Sequence, residues 1–217
     1  MTDETTEKQY ESSRSSRPVV VREFTLKSEQ AQRVFRRNFQ YVDHHAFSIS
    51  IISRAHGNHL QADKAEQALK QEFERIGTLL QQDMEKIKLF RNKLGISEGG
   101  LMSNPQKVKA EISANLSMEY LQLLRVMDEF LCLFEPLVIL GEIDYDQRQS
   151  ITYEWQRKMT RLARVIRHHA DHLRKIHQSQ KTEGAVDGAE AVVDPAVVDP
   201  ETDVAGAGIS ADIPMVN

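Results

Sequence analysis

Residues 59–94, HLQADKAEQALKQEFERIGTLLQQDMEKIKLFRNKL, carry the strongest periodicity in the chain. Leu69, Phe73, Ile76, Leu80, Ile87, Phe90 and Leu94 fall on alternating a and d positions of a heptad frame, the pattern of a helix that buries one seam against a neighbour. One slot of the frame is polar. It holds Asp83, with Met84 beside it to fill space, and a polar residue in a seam gives up stability but fixes register. At 1.5 Å per residue this helix is roughly 50 Å long. Gly95 is a suitable C-cap, and Ser97 to Pro105 (SEGGLMSNP) has the composition of a loop.

The same reading extends in both directions. Downstream, the spacing predicts a helix from about Pro105 to Phe134 with Val108, Ile112, Leu116, Tyr120, Leu123, Leu124, Met127, Phe130 and Leu131 on its apolar side, ended by Pro136 and Gly141. Asp144 with Gln147 forms an N-terminal capping pattern. It opens a helix over 144–180 whose seam is Trp155, Met159, Leu162, Ile166, His169, Leu173 and Ile176, again with one polar slot, His169. Upstream, Val19 to Leu26 (VVVREFTL) has the β-branched content of a strand and is the only good strand candidate. Ser28 then caps a helix carrying Ala31, Val34, Phe35, Phe39 and Val42 to about Ala46. Phe47 to Ile52 (FSISII) reads as either a short strand or more helix before Gly57-Asn58 closes the unit.

The fold expected is therefore mainly α, with long antiparallel, coiled-coil-like helices, a short N-terminal β-strand and disordered tails. Residues 1–17 are predicted to be a flexible arm. Residues 18–181 form the helical domain, comprising a strand-helix lead over 18–58, the long helix over 59–94, and helices over 105–134 and 144–180. Residues 182–217 are an acidic tail in which AVVDP occurs twice in tandem, at 191–195 and 196–200, a low-complexity repeat too short to build a core.

Charge is distributed unevenly. The formal net charge of the chain is -4, but residues 182–217 contain eight acidic residues and no Lys or Arg, and the body from Arg14 to Lys181 is +7. A basic body with an acidic tail permits nucleic-acid contact. The single cysteine, Cys132, lies in an apolar run, so neither an intrachain disulfide nor a cysteine-rich metal site can form. The polar start predicts no secretory signal in the usual form, and the longest greasy segment, Phe130 to Leu140, is interrupted by Glu135 and Pro136. A cytoplasmic protein without membrane contact is expected.

No phosphate-binding glycine loop, nucleophile elbow, HExxH or CxxC pair occurs, so the expectation is a non-enzyme with no cofactor. His168, His169, Asp171 and His172 (HHADH) have the local density of a metal site, and His168 with His172 share a helical face. Their neighbours Arg164, Arg167, Arg174 and Lys175 disfavour a cation, and the expectation is no metal. The basic residues are more informative. Arg157, Arg161, Arg164 and Arg167 avoid the seam of their helix and would neutralise phosphates from its outward face, or else form a solvated surface or a pairing surface for the acidic tail. Arg22 and Lys27 lead into Arg33, Arg36 and Arg37 on the first helix. A short strand followed by a basic helix is similar to the opening of a ribbon-helix-helix regulator, in which two chains pair strands and lay the ribbon into the major groove; alternate strand residues such as Arg22 would then face bases. The alternative is an edge strand packed on the helical body.

Glu23-Phe24-Thr25-Leu26, Ala31-Gln32-Arg33-Val34-Phe35 and Ser103-Asn104-Pro105, in that order around a long charged helix and before two apolar ones, give the region of about 18–175 a further resemblance. It resembles the AcaB-like family of proteins encoded on integrative and conjugative elements and conjugative plasmids. The resemblance implies a mobile-element accessory protein, a transcriptional regulator of conjugation genes with ribbon-helix-helix character. On that reading Arg22, Lys27, Arg33, Arg36, Arg37, Arg157, Arg161, Arg164 and Arg167 are the candidate DNA contacts, DNA is the partner, and the protein is a homodimer. The competing expectation is a helical interaction protein of the conjugation system that binds no nucleic acid and uses its seam, through Asp83 and His169, on an element-encoded partner or on itself.

Overall fold

A computed structural model describes residues 17–96 and 102–183. The expectations for the N-terminal arm before residue 17, for the acidic tail after residue 183 and for residues 97–101 of the loop lie outside the described residues. Strand β1 (Val20–Leu26) leads into α1 (Glu29–Phe47), which continues as one rod through a π-helical turn, Ser48–Ile52, and a last turn, Ser53–Ala55. Then follow α2 (His59–Lys93), β2 (Gln106–Ile112), α3 (Asn115–Ile139) and α4 (Tyr145–Glu183). The mainly helical class expected from the sequence is the class observed. No helix among the described residues is long and apolar enough to cross a membrane.

The side-chain contacts fix the course of each helix. Asn38 donates to Thr160 (3.3 Å), Arg167 lies over the Tyr41 ring and His56 stacks on His177 with centroids 4.0 Å apart, so α1 and α4 run side by side in the same sense. Asp128 reaches Ser28 while Asp43 reaches Ser113, which sets α3 antiparallel to α1. Phe130 meets Trp155 edge-on at 5.8 Å and Glu135 pairs with Arg148, so α4 returns along α3. Arg54 spans the turn at Gly57 (φ 83°) to reach Asp63 and Glu66 at the start of α2. Trp155, Tyr120, Phe130, Leu69, Leu124 and Met127 are fully buried between the four helices.

The seam of α2 departs from the heptad frame. Its buried residues are Ala62, Ala65, Leu69, Phe73, Ile76, Leu80, Met84, Ile87 and Arg91, in steps of three, four and four. Eleven residues in three turns is close to the natural 3.6-residue period of a straight helix, whereas a strict heptad requires a left-handed supercoil. The stripe therefore drifts by one position. Met84 takes the slot assigned to Asp83, whose half-exposed carboxylate pairs with Lys86 instead. The same drift on α4 puts Ala170 into the slot assigned to His169. Met84→Ala is expected to cost about 2–4 kcal/mol in urea unfolding, and Asp83→Ala within about 0.5 kcal/mol. The heptad frame, which sets Met84 beside the seam and not in it, predicts no such loss at Met84.

Two further expectations are corrected. Residues 106–112 are a strand, so the helix predicted from 105 begins at Asn115. QKVKAEI alternates polar and apolar, and Val108 with Ile112, four apart, satisfy a period of two as well as a helical one. The strand period prevails because β1, some 80 residues earlier in the chain, supplies a complete antiparallel partner, Val20 opposite Ile112 through Leu26 opposite Gln106. At the other end α3 carries Pro136 inside its last turn and extends to Ile139 instead of stopping at Phe134. A proline there removes one late intrahelical bond, and Gly141 (φ 77°) makes the stop, with Glu142 donating to the Leu137 carbonyl. The FSISII ambiguity resolves as helix. An extra residue in the π turn, where Ser53 donates to the Ser48 carbonyl, keeps Ala46, Ile49 and Ser53 all facing the bundle.

Candidate nucleic-acid interface

The two strands form a ribbon laid along α1, and a buried aspartate holds each end of it. At the α1 start, Asp128 of α3 accepts from the Lys27 amide (2.8 Å), the Ser28 amide (2.7 Å) and the Ser28 hydroxyl (2.6 Å). Ser28 in turn caps α1 by accepting from the Ala31 amide. Gln32 ties the two strand ends together, donating to the Leu26 and Asn104 carbonyls. At the opposite end, Asp43 of α1 accepts from the Ser113 amide and hydroxyl and from Arg17, each at 2.8 Å. Both aspartates are less than 4% exposed. Burial of this kind is tolerated because each carboxylate accepts three hydrogen bonds.

Antiparallel register decides what each ribbon face presents, since directly opposed residues share a side. Phe24, Leu26, Val108, Ala110 and Ile112 line the inner face, and Phe24 packs edge-on against Phe35 of α1 at 5.6 Å. The outer face presents Val21, Glu23 and Thr25 opposite Glu111, Lys109 and Lys107, all exposed. Arg22, the strand residue expected to face outward, shares its side with Phe24 and Leu26, although the end of β1 leaves it exposed. Lys107 and Lys109 were missed as candidates because their segment reads as helix. The signal that could have found them is its strict alternation, which puts both lysines on one face.

Beside the ribbon lies the exposed strip of α1, comprising Glu29, Arg33, Arg36, Arg37, Gln40 and His44. Arg36 donates to Gln106 at 3.3 Å, which joins the strip to β2, while Arg33 pairs with Glu29 at 2.5 Å. Lys27, at the ribbon's exit, is exposed. On the far side of the strip stands α4. Arg167 bridges the two helices, its guanidinium 6.0 Å from the Tyr41 ring centre and bonded to Asp171. Arg157 and Arg164 are exposed and form no ion pair among the described residues. Arg161 is exposed on the side toward α2, within electrostatic reach of Glu72. Thus Arg33, Arg36 and Arg37 share the exposed strip of α1, with Lys27 before its start and Arg167 beside its Tyr41, while Arg157 and Arg164 lie exposed on α4 and Arg161 is turned toward α2.

The remaining candidates are the histidines and Cys132. Among the described residues no cluster of His, Cys, Asp or Glu is arranged to hold a metal ion. His168 and His172 are exposed, and burial followed by the neighbouring His168 holds the half-buried His169 below its ordinary value. Burial and then His44 do the same to His45, which lies under α4 beside Arg167, Asp171 and Arg174. Burial pushes the Cys132 thiol up to about 12, which leaves it unreactive.

No protein-family model and no curated protein matches the chain. Among solved structures, the crystal structure of selenomethionine-containing AcaB from uropathogenic E. coli superposes with a TM-score of 0.72 at 27% sequence identity, over 80% of this chain and 90% of that one. The chain has an AcaB-like fold.

Proposed function

We propose, from an AcaB-like fold that builds a two-stranded ribbon within one chain, that this protein is a non-enzymatic DNA-binding transcriptional regulator of conjugative transfer encoded on an integrative or conjugative element. The observation that carries the reading is the ribbon itself. A two-stranded antiparallel ribbon is the width the major groove admits, and here its outer face offers Lys107, Lys109 and Thr25 to base edges and phosphates. The α1 strip then stands where the flanking backbone would pass, with Arg33, Arg36, Arg37 and Lys27 as phosphate contacts that set register and orientation. Because β1 pairs with β2 of its own chain, a second copy is not needed to complete the ribbon; a homodimer would instead address two half-sites. The alternative seam-mediated partner loses its motivating residues, since Asp83 and His169 stand beside seams that the chain fills internally.

The test is fluorescence anisotropy of a labelled duplex of about 25 base pairs at roughly 50 mM salt, where electrostatic binding is strong. The wild-type chain is expected to bind, and Arg33→Ala, Arg36→Ala and Arg37→Ala together to weaken binding at least about 30-fold, with circular dichroism unchanged, because three exposed phosphate contacts are lost. Failure of the wild type to bind any duplex at this salt would sink the reading.

A further inference from the structure

The same chain carries a segment of charge opposite to that of the basic surface on α1 and α4. Residues 184–217 hold seven carboxylates, from Asp187 to Asp212, and no Lys or Arg, whereas residues 17–183 hold 26 Lys and Arg against 21 Asp and Glu. Several acidic side chains of that body are already engaged. Glu29, Asp63, Glu66, Glu72, Glu135 and Asp171 each pair with an arginine. On this surface Arg37, Arg157, Arg164 and Lys175 are exposed and form no ion pair among the described residues.

Geometry places the origin of the acidic segment at the head of this surface. Helix α4 ends at Glu183, close to where His177 stacks on His56, and Lys175, Arg164 and Arg157 follow in that order back along the helix. At 1.5 Å per residue, Arg164 lies about 29 Å and Arg157 about 39 Å from Glu183. Asp194, Asp199, Glu201 and Asp203 are 11 to 20 residues past Glu183, a contour of at most about 36–66 Å. The chain is thus long enough to turn back over α4 and bring these four carboxylates to Arg164, Arg157 and Arg37. Tethering sets an effective concentration in the millimolar range, so even weak, salt-sensitive pairing is well populated.

We propose that the acidic segment 184–217 docks on the basic face formed by α4 and the outer strip of α1, and so competes with DNA for it. The docking requires only the charges and the tether; the competition rests on the DNA-binding reading above. Because the ribbon face lies beside this surface and not under it, the segment weakens binding of any duplex without abolishing it. Affinity for DNA is then set by salt and by any partner that draws the acidic segment away.

The test uses the full chain. Buried Cys132 is unreactive, so Ala205→Cys can be spin-labelled alone, and paramagnetic broadening of arginine side-chain signals reports what residues 194–205 approach. Broadening is expected at Arg157, Arg164 and Arg37 and not on α2, and it should vanish when Asp194→Asn, Asp199→Asn, Glu201→Gln and Asp203→Asn are combined. The same neutralised chain should bind a generic duplex about tenfold more tightly than the wild type at low salt. Absence of broadening on α1 and α4, or broadening on α2 instead, overturns the docking. Duplex affinity unchanged by neutralisation overturns the competition. Broadening in a chain that binds no duplex in either form would leave the docking standing and defeat the DNA-binding reading alone.

Discussion

Asp128→Ala is expected to lower the thermal midpoint of this chain by about 10 °C. Three donors converge on this carboxylate, the Lys27 and Ser28 amides and the Ser28 hydroxyl, and Ser28 itself is fully buried. With Ala in place all three donors lose this acceptor. A buried donor left without a partner costs about 1–3 kcal/mol, so the set amounts to about 4 kcal/mol, which for a domain of this size corresponds to roughly 8–16 °C. The Ser28 cap on Ala31 is weakened as well, because the hydroxyl loses the bond that orients it. Glu129→Ala, one residue along on an exposed position, is the control and should change stability by less than about 0.5 kcal/mol. Differential scanning calorimetry of the three chains makes the comparison. A shift of only about 1–2 °C for Asp128→Ala would mean that the ribbon and α1 are not joined through this carboxylate.

The second large effect concerns binding. Lys107→Glu combined with Lys109→Glu is expected to reduce duplex affinity by at least about 100-fold at roughly 0.1 M salt, because two phosphate-facing charges become repulsive. The pair sits on the outer ribbon face, opposite Thr25 and Glu23, and neither lysine has an ion-pair partner among the described residues. The cost to folding is small. Reversing the charge of Lys109 sets a second carboxylate directly across from Glu23, and a like-charge pair of this kind is worth at most about 1 kcal/mol. Lys64→Glu with Lys88→Glu, the same charge change on exposed positions of α2, should weaken binding only slightly and by a purely long-range effect. Equal losses from the two variants would make net charge, and not the ribbon, the determinant of binding.

The helices were legible because their apolar residues are many and their period is redundant over long stretches, as in residues 59–94, where shifting the frame by one slot still leaves a helix. That same redundancy hid the frame error. Over short windows 3.5 and 3.6 residues per turn select the same positions, and only across the length of α2 and α4 does the difference exclude Asp83 and His169 in favour of Met84 and Ala170. The ribbon was half legible. The β-branched run of β1 declares itself, but β2 depends on a partner far away in sequence, and its seven residues, with apolar positions four apart, fit the wrong period equally well. The candidate interface suffered from that omission. The α1 arginines could be named from composition alone, whereas Lys107 and Lys109 become visible only once register puts them opposite Thr25 and Glu23. Nothing local announces that Asp43 and Asp128 act as clamps; an aspartate in a helix reads as surface until the long-range donors are known.

The salt dependence of duplex binding, measured for the wild type and for Lys107→Ala with Lys109→Ala, tests the central claim most directly. If the ribbon and the α1 strip together neutralise about five phosphates, log Kobs should fall against log salt with a slope near about −4.5, and removing the two ribbon lysines should make the slope shallower by about two. An unchanged slope in the variant, or a wild-type chain that binds no duplex at the lowest salt, would contradict the account.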